Sequence, residues 1–230
     1  MENLEKQLAA LWEKYASIDN EVLNDRGYLY CRNTEQKDIL ITGINPSFRE
    51  GMETKLESAS YDFGNCSSDK YWSQIHNMLK SDEYDYTDVA AYLDLFYYRE
   101  TAQEYLKNII LKHPLGVGFV AEQLRITQWI IEYVIRPKVI IIKNKESYAY
   151  WGKLQEKGYI WMGYKFESIG SCQCGEICRI SGFIDSDERI SPEITQSNLV
   201  GSIVLFSKYG RFLKKEERVT ADTIKQLLEI

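Results

Sequence analysis

Three groups of residues in this 230-residue chain have types and spacings that could do chemistry. The first is Gly43-Ile44-Asn45-Pro46, which follows the apolar run Ile39-Leu40-Ile41. Glycine permits close backbone approach, proline fixes the chain that follows, and the asparagine amide between them can hold a water or a carbonyl but does not titrate. Two readings stay open at the residue level: Asn45-Pro46 initiates a turn, or the strand delivers an amide to a pocket floor. The second group is Cys172, Cys174 and Cys178, a C-x-C-x3-C pattern. Structural zinc needs four ligands, so these three are read as alternating strand cysteines, and no metal or cofactor is expected. The third is the basic run Lys208, Arg211, Lys214, Lys215 and Arg218, interleaved with Tyr209 and Phe212. It either meets phosphates or solvates the approach to a terminal helix. His76 and His113 are read as structural or solvated.

Periodicity supplies the elements that must position these groups. Residues 2–16 carry Leu4, Leu8, Leu11, Trp12 and Tyr15 at helical spacing. Residues 38–43, 89–100, 138–144 and 201–207 read as buried strands, and the unbroken β-branched run at 138–144 suits the middle of a parallel sheet. Helices are expected at 69–80 (capped by Ser68 or Asp69), 101–112, 119–135, 146–157 and 220–230, the last capped by Thr220. Residues 48–66 read as loop and 159–198 as a β-hairpin region. Strands alternating with helices from 38 to 157 imply a single α/β domain over 1–230, a three-layer α/β/α arrangement with a mostly parallel central sheet. Ligands of such sheets bind at the carboxyl ends of the strands.

The order of these motifs resembles the uracil-DNA glycosylase superfamily, most closely the mismatch-specific uracil/thymine-DNA glycosylases. Those enzymes carry Gly-Ile-Asn-Pro-Gly after their first strand. They follow it with a phenylalanine loop, matched here by "YDFG" (61–64), and Asn-Arg-Phe-Trp opening a helix, matched by Asp69-Lys70-Tyr71-Trp72. "YLDLFYYRE" and "RPKVIIIKNKESY" stand where the family has its next two strands. The resemblance implies a uracil-DNA glycosylase-like fold and a base-excision, DNA-repair hydrolase that cleaves the N-glycosidic bond of a damaged or mismatched, flipped-out base. It assigns Asn45 to the attacking water, Gly43 and Ile44 to the pocket floor, and Phe63 to base stacking. Sites that use an aspartate as base have it beside the first motif. Asn45 implies the water-holding variant, in which stabilising an oxocarbenium-like state matters more than a strong nucleophile.

At the last strand the family has His-Pro-Ser or Asn-Pro-Ser-Gly, whereas this chain reads Ser207-Lys208-Tyr209-Gly210. By position, Ser207 joins the base pocket, and Lys208, Tyr209, Gly210 and Arg211 face DNA. The alternative is a non-catalytic module that holds a nucleobase, nucleotide or DNA on the same fold. The partner is therefore DNA or a nucleobase-containing ligand.

Composition bounds these readings. A net charge of -6 does not suit a non-specific nucleic-acid coat, though it permits a local basic site. No apolar run reaches membrane-spanning length, so no membrane partner is expected. The acidic N-terminal helix pattern lacks a signal-peptide layout, which reads as cytoplasmic. In that setting five cysteines do not suggest a disulfide framework.

Overall fold

A computed structural model describes residues 4–32, 34–48, 59–65, 70–208, 210 and 212–230. The strands are β1 Leu29–Cys31, β2 Ile39–Gly43, β3 Ala59–Tyr61, β4 Ala90–Asp94, β5 Val139–Ile142, β6 Tyr164–Cys172, β7 Gly175–Phe183 and β8 Ile203–Ser207. The α-helices are α1 Leu4–Tyr15, α2 Lys70–Leu79, α3 Glu104–Asn108, α4 Gly116–Ile130, α5 Ser147–Trp151 and α6 Ala221–Leu228. Six strands form one sheet in the order β4-β2-β5-β8-β7-β6. The first four are mutually parallel, and the β6–β7 hairpin continues the sheet antiparallel from β8. The fold is thus α/β with a mixed sheet.

Burial explains the order. Every residue of β2, β5 and β8 is buried. Only interior strands with covered faces can use such unbroken apolar runs. Alternation shows where the helices go. Ile41 pairs with both Tyr92 and Ile141, and Phe206 pairs with Ile142. Consecutive strand residues point to opposite faces, so the rings of Tyr92 and Phe206 face opposite ways. Trp72 of α2 meets Tyr92 edge-on at 4.8 Å, and Tyr148 of α5 meets Phe206 at 4.9 Å. The two helices therefore cover opposite faces. α6 packs with α2 and β5, and α1 joins α4 through Trp12 and Tyr15 on Phe119.

Several elements depart from the sequence expectations. β4 ends at Asp94, so only the front of the 89–100 run is strand. The 101–112 helix is split into α3 and a 3₁₀ turn, Ile110–Lys112. The 119–135 helix starts at Gly116 and ends in a π-helical turn, Ile131–Ile135. The 146–157 helix stops at Gly152, whose φ of +97° is left-handed. A side chain there would also press on the Tyr164 backbone 3.0 Å away, so glycine ends the helix where β6 passes. The hairpin region holds a single hairpin, β6–β7, followed by turns. The 48–66 loop contains β3, which pairs in parallel with β1 in a separate two-stranded sheet. The caps Ser68 and Asp69 lie outside the described residues. Thr220 does cap α6, its hydroxyl accepting from Thr223 N at 3.3 Å.

Behind the hairpin, one buried carboxyl fixes the long turn before β8. Glu132 is fully buried. Its oxygens accept from Tyr164 OH at 2.9 Å, Ser197 Oγ at 2.6 Å and Asn198 N at 2.7 Å. Removing the acceptor strands the buried Tyr164 hydroxyl and frees the Ser197–Asn198 turn, so Glu132→Ala should lower unfolding stability by about 3 kcal/mol. Urea unfolding followed by circular dichroism checks this, and an unchanged midpoint would show that the turn is held by other contacts.

Candidate active site

The carboxyl ends of β4, β2, β5 and β8 form one rim, carrying Asp94, Gly43 to Pro46, Lys143 with Asn144, and Ser207 with Lys208. β2 and β4 stay stitched together beyond their ends. Phe96 N donates to Ile44 O at 2.9 Å, and Glu100 N to Pro46 O at 3.0 Å. The Asn45 side chain adds to this seam. Its Nδ2 donates to Glu100 O at 2.6 Å and to Pro46 O at 3.1 Å, with Tyr98 O farther away at 3.5 Å. Only the nitrogen can face carbonyls, so the amide has one orientation. Oδ1 points away from them, and no donor among the described residues bonds to it. Asn45 therefore has two halves: a nitrogen that braces the turn, and an oxygen available to a ligand. Phe48 anchors the same loop beneath the guanidinium groups of Arg26 at 4.6 Å and Arg99 at 5.1 Å.

An acidic group stands beside this motif, delivered by the neighbouring strand. Gly43 pairs in register with Asp94. A Cβ on Gly43 would lie 2.1 Å from Asp94 Oδ1 and 2.2 Å from Tyr92 OH, so the missing side chain is the room they occupy. Tyr92 OH donates to Asp94 Oδ1 at 3.0 Å. Burial pushes the Asp94 carboxyl up to about 7, against the pull of that hydrogen bond and of the Lys143 charge. Burial in turn lowers Lys143, while Asp94 raises it. A carboxyl that titrates near neutrality at a parallel-strand end is suited to acid–base work.

The other expected site residues fall in different settings. Ile44 is buried beside the motif. Phe63 is only 5% exposed and stacks on His76 at 4.8 Å and Tyr92 at 6.1 Å. The cleft it lines lies near Ala90 and Ala91, at the start of β4 rather than its end. A ring already packed on two aromatic partners has little face left for a base, so Phe63 acts here as a packing residue. His76 supports it further, Nε2 lying 3.0 Å from Phe63 O. The Ser207 hydroxyl is buried and donates to Ile142 O at 3.0 Å, an inter-strand lock rather than a pocket group. Lys208 pairs with Glu217 at 2.9 Å, and Gly210 is exposed. Tyr209 and Arg211 lie outside the described residues. Cys178 Sγ lies by Lys153 and Glu176, whereas Cys172 and Cys174 lie against each other. Among the described residues no group of three His, Cys, Asp or Glu side chains is placed to hold a metal ion.

Compared with known proteins, the chain matches no family model, no curated protein and no solved structure. The site's chemistry therefore rests on its own geometry. Sequence reading reached Asn45 but gave Asp94 no role. The one available signal was an aspartate closing an apolar strand, and its meaning depends on a register with Gly43 that no local pattern encodes.

The raised Asp94 pKa has a sign for stability. Between its ordinary value near 4 and about 7, folded Asp94 keeps a proton that the unfolded chain has released. The folded state then binds more protons, so this group's contribution to stability declines as pH rises across that window and levels off above it. Asp94→Asn cannot titrate and should flatten that decline, gaining on the wild type as pH rises from 4 to 8. Melting temperatures of both proteins across that range test it. Parallel curves would show that Asp94 is not shifted upward.

Proposed function

We propose that this chain hydrolyses the N-glycosidic bond of a damaged or mismatched base in DNA, on a uracil-DNA glycosylase-like fold. The observation that carries the reading is the pairing of Asn45 and Asp94 on adjacent strand exits: an oriented amide oxygen and a carboxyl that titrates near neutrality. In the reaction, Asn45 Oδ1 accepts a hydrogen bond from a water. The water oxygen forms a bond to C1′ as the C1′–N bond breaks and the base leaves with the bonding pair. Asp94, as carboxylate, takes the proton the water gives up. Lys143 balances charge as it develops. In this reading Asp94, delivered by β4 opposite Gly43, serves as the base.

The segment after β8 supports the nucleic-acid partner. Phe212 is 95% exposed, with Lys214 and Lys215 exposed close behind it. A solvent-facing ring beside cations suits a gap left by a flipped base and the phosphates around it. A second reading is a nucleobase-, nucleotide- or DNA-binding module that uses the same pocket without turnover. Phe63 and Ser207, expected base contacts in both readings, are packed internally.

Purified protein should be assayed on duplex and single-stranded oligonucleotides carrying uracil, hypoxanthine, xanthine or a thymine mismatch. Release of a base, with rate rising through pH 7 as Asp94 ionises, is the expected result. Asn45→Ala should lower turnover roughly 10²-fold, the scale of losing one positioned polar group. Asp94→Asn should abolish the pH dependence as well as most of the rate. Binding without release on every substrate would support the module instead.

Duplex binding gives an independent check. Each phosphate contact contributes about -0.9 to the slope of log affinity against log salt. Replacing Lys208 and Arg211 with Ala should flatten that slope, while Lys157→Ala, far from the rim in sequence, should leave it alone. Phe212→Ala should weaken binding without changing the slope. Equal slopes in all proteins would remove this segment from the interface.

A further inference from the structure

The turn of the β6–β7 hairpin holds two thiols together. The ladder closes with Cys172 opposite Gly175, leaving Gln173 and Cys174 as the turn. Cys172 Sγ and Cys174 Sγ lie 2.9 Å apart, and both are free thiols. Their environments differ. Cys174 is 3% exposed, whereas Cys172 is half-buried and lines a cleft of about 520 Å³. Lys145, Tyr148, Ser207 and Lys208 share that cleft. The third cysteine of the cluster is held apart. Lys153 Nζ donates to Cys178 Sγ at 3.3 Å, and Cys178 Sγ donates to Glu176 Oε1 at 3.4 Å.

The turn is pressed onto the end of β8. A Cβ on Gly175 would meet Phe206 O at 2.3 Å, so β7 pairs with the end of β8 where only glycine fits. Lys208 N donates to Cys174 O at 2.7 Å. A change in the backbone of this turn must therefore reach the Ser207-Lys208 exit.

We infer that Cys172 and Cys174 are a redox site, oxidised by a small hydroperoxide to an intrachain disulfide that shifts the Lys208 exit. The Cys172 thiolate attacks one oxygen of the hydroperoxide. The O–O bond breaks, an S–O bond forms, and the leaving oxygen departs as water or an alcohol. This gives a Cys172 sulfenic acid. Cys174 sulfur then attacks Cys172 sulfur, the S–O bond breaks, and hydroxide leaves as water with the Cys174 proton. The two sulfurs lose two electrons in all, and the peroxide gains them. The order of roles follows from access. Cys172 faces the cleft. Burial holds the Cys174 thiol up at about 11, with the Cys172 contact adding to the rise, so it stays protonated until it resolves the intermediate. Cys178 stands outside the pair.

The full-length protein is reduced, freed of reductant without oxygen, and treated with an equivalent of hydrogen peroxide. Trypsin releases residues 166–179 as one peptide containing all three cysteines. The expected product is that peptide lighter by two hydrogens, with one thiol left to alkylate, restored by dithiothreitol. Cys178→Ser should still form the bond, whereas Cys172→Ser and Cys174→Ser should not. Retention of the two-hydrogen loss in Cys174→Ser would overturn the pairing. Oxygen adducts alone in the wild type would overturn the disulfide itself. Hydrogen exchange reads the coupling: the Lys208 amide should exchange faster in oxidised protein, and unchanged protection would overturn the link to the exit.

Discussion

Gly43 has no side chain, and the carboxyl of Asp94 stands where one would be. The rim at the strand ends depends on this single steric fact. The parallel register of β2 and β4 puts the two residues opposite each other. Because Gly43 leaves space, Tyr92 and Asp94 can lie over β2 with their polar ends joined by a 3.0 Å hydrogen bond. Any other residue at position 43 would push a polar pair out of a buried seam. The cost of keeping a carboxyl there appears as its raised pKa. A group held at such a cost in stability is characteristic of sites shaped by chemistry rather than packing.

The same seam orients Asn45. Its nitrogen is committed to the carbonyls of Pro46 and Glu100, so mutating it removes both a brace and an acceptor. Asparagine is suited to both jobs because its amide has a donor end and an acceptor end. Aspartate would set a carboxylate against three carbonyl oxygens, so an acid at position 45 is excluded by the turn itself. In the proposed reaction the acid then comes from the neighbouring strand. The amide and the carboxyl are two answers to one geometric problem, and they belong together.

How much of this was legible in the sequence follows from how far each feature reaches. The runs that became β2, β4, β5 and β8 were visible because each is dominated by apolar residues, as strands with both faces covered must be. Amphipathic α1, α2 and α6 were visible for the same local reason. β1 and β3 were not. They are three residues each and form a ladder with one another. Asn45 stood out because Gly43 and Pro46 flank it, while Asp94 gains its meaning from a partner distant in sequence. Phe63 misled for the opposite reason: an aromatic in a glycine loop looks exposed, yet α2 lies over it with Trp72 and His76.

The hairpin explains why the end of the last strand is closed. In a sheet that ended at β8, the exit of that strand would be open, and a polar side chain there could reach a ligand. Here β7 covers the edge of β8 along Ile203 to Ser207, and the hairpin turn accepts the Lys208 amide. Ser207 is thereby buried, its hydroxyl turned to Ile142 O and its carbonyl to Tyr148 OH. A histidine or asparagine at that position would have to bury its polar atoms in the same space, with these acceptors and donors already engaged. The chain's answer is serine, small enough to satisfy its one donor on the adjacent strand. In the proposed reading, recognition falls to Asp94 and Asn45 at the β4 and β2 exits and to the exposed Phe212 segment after β8. Adding two strands to the sheet thus closes the β8 exit around Ser207, and the proposed chemistry rests on the β2–β4 seam.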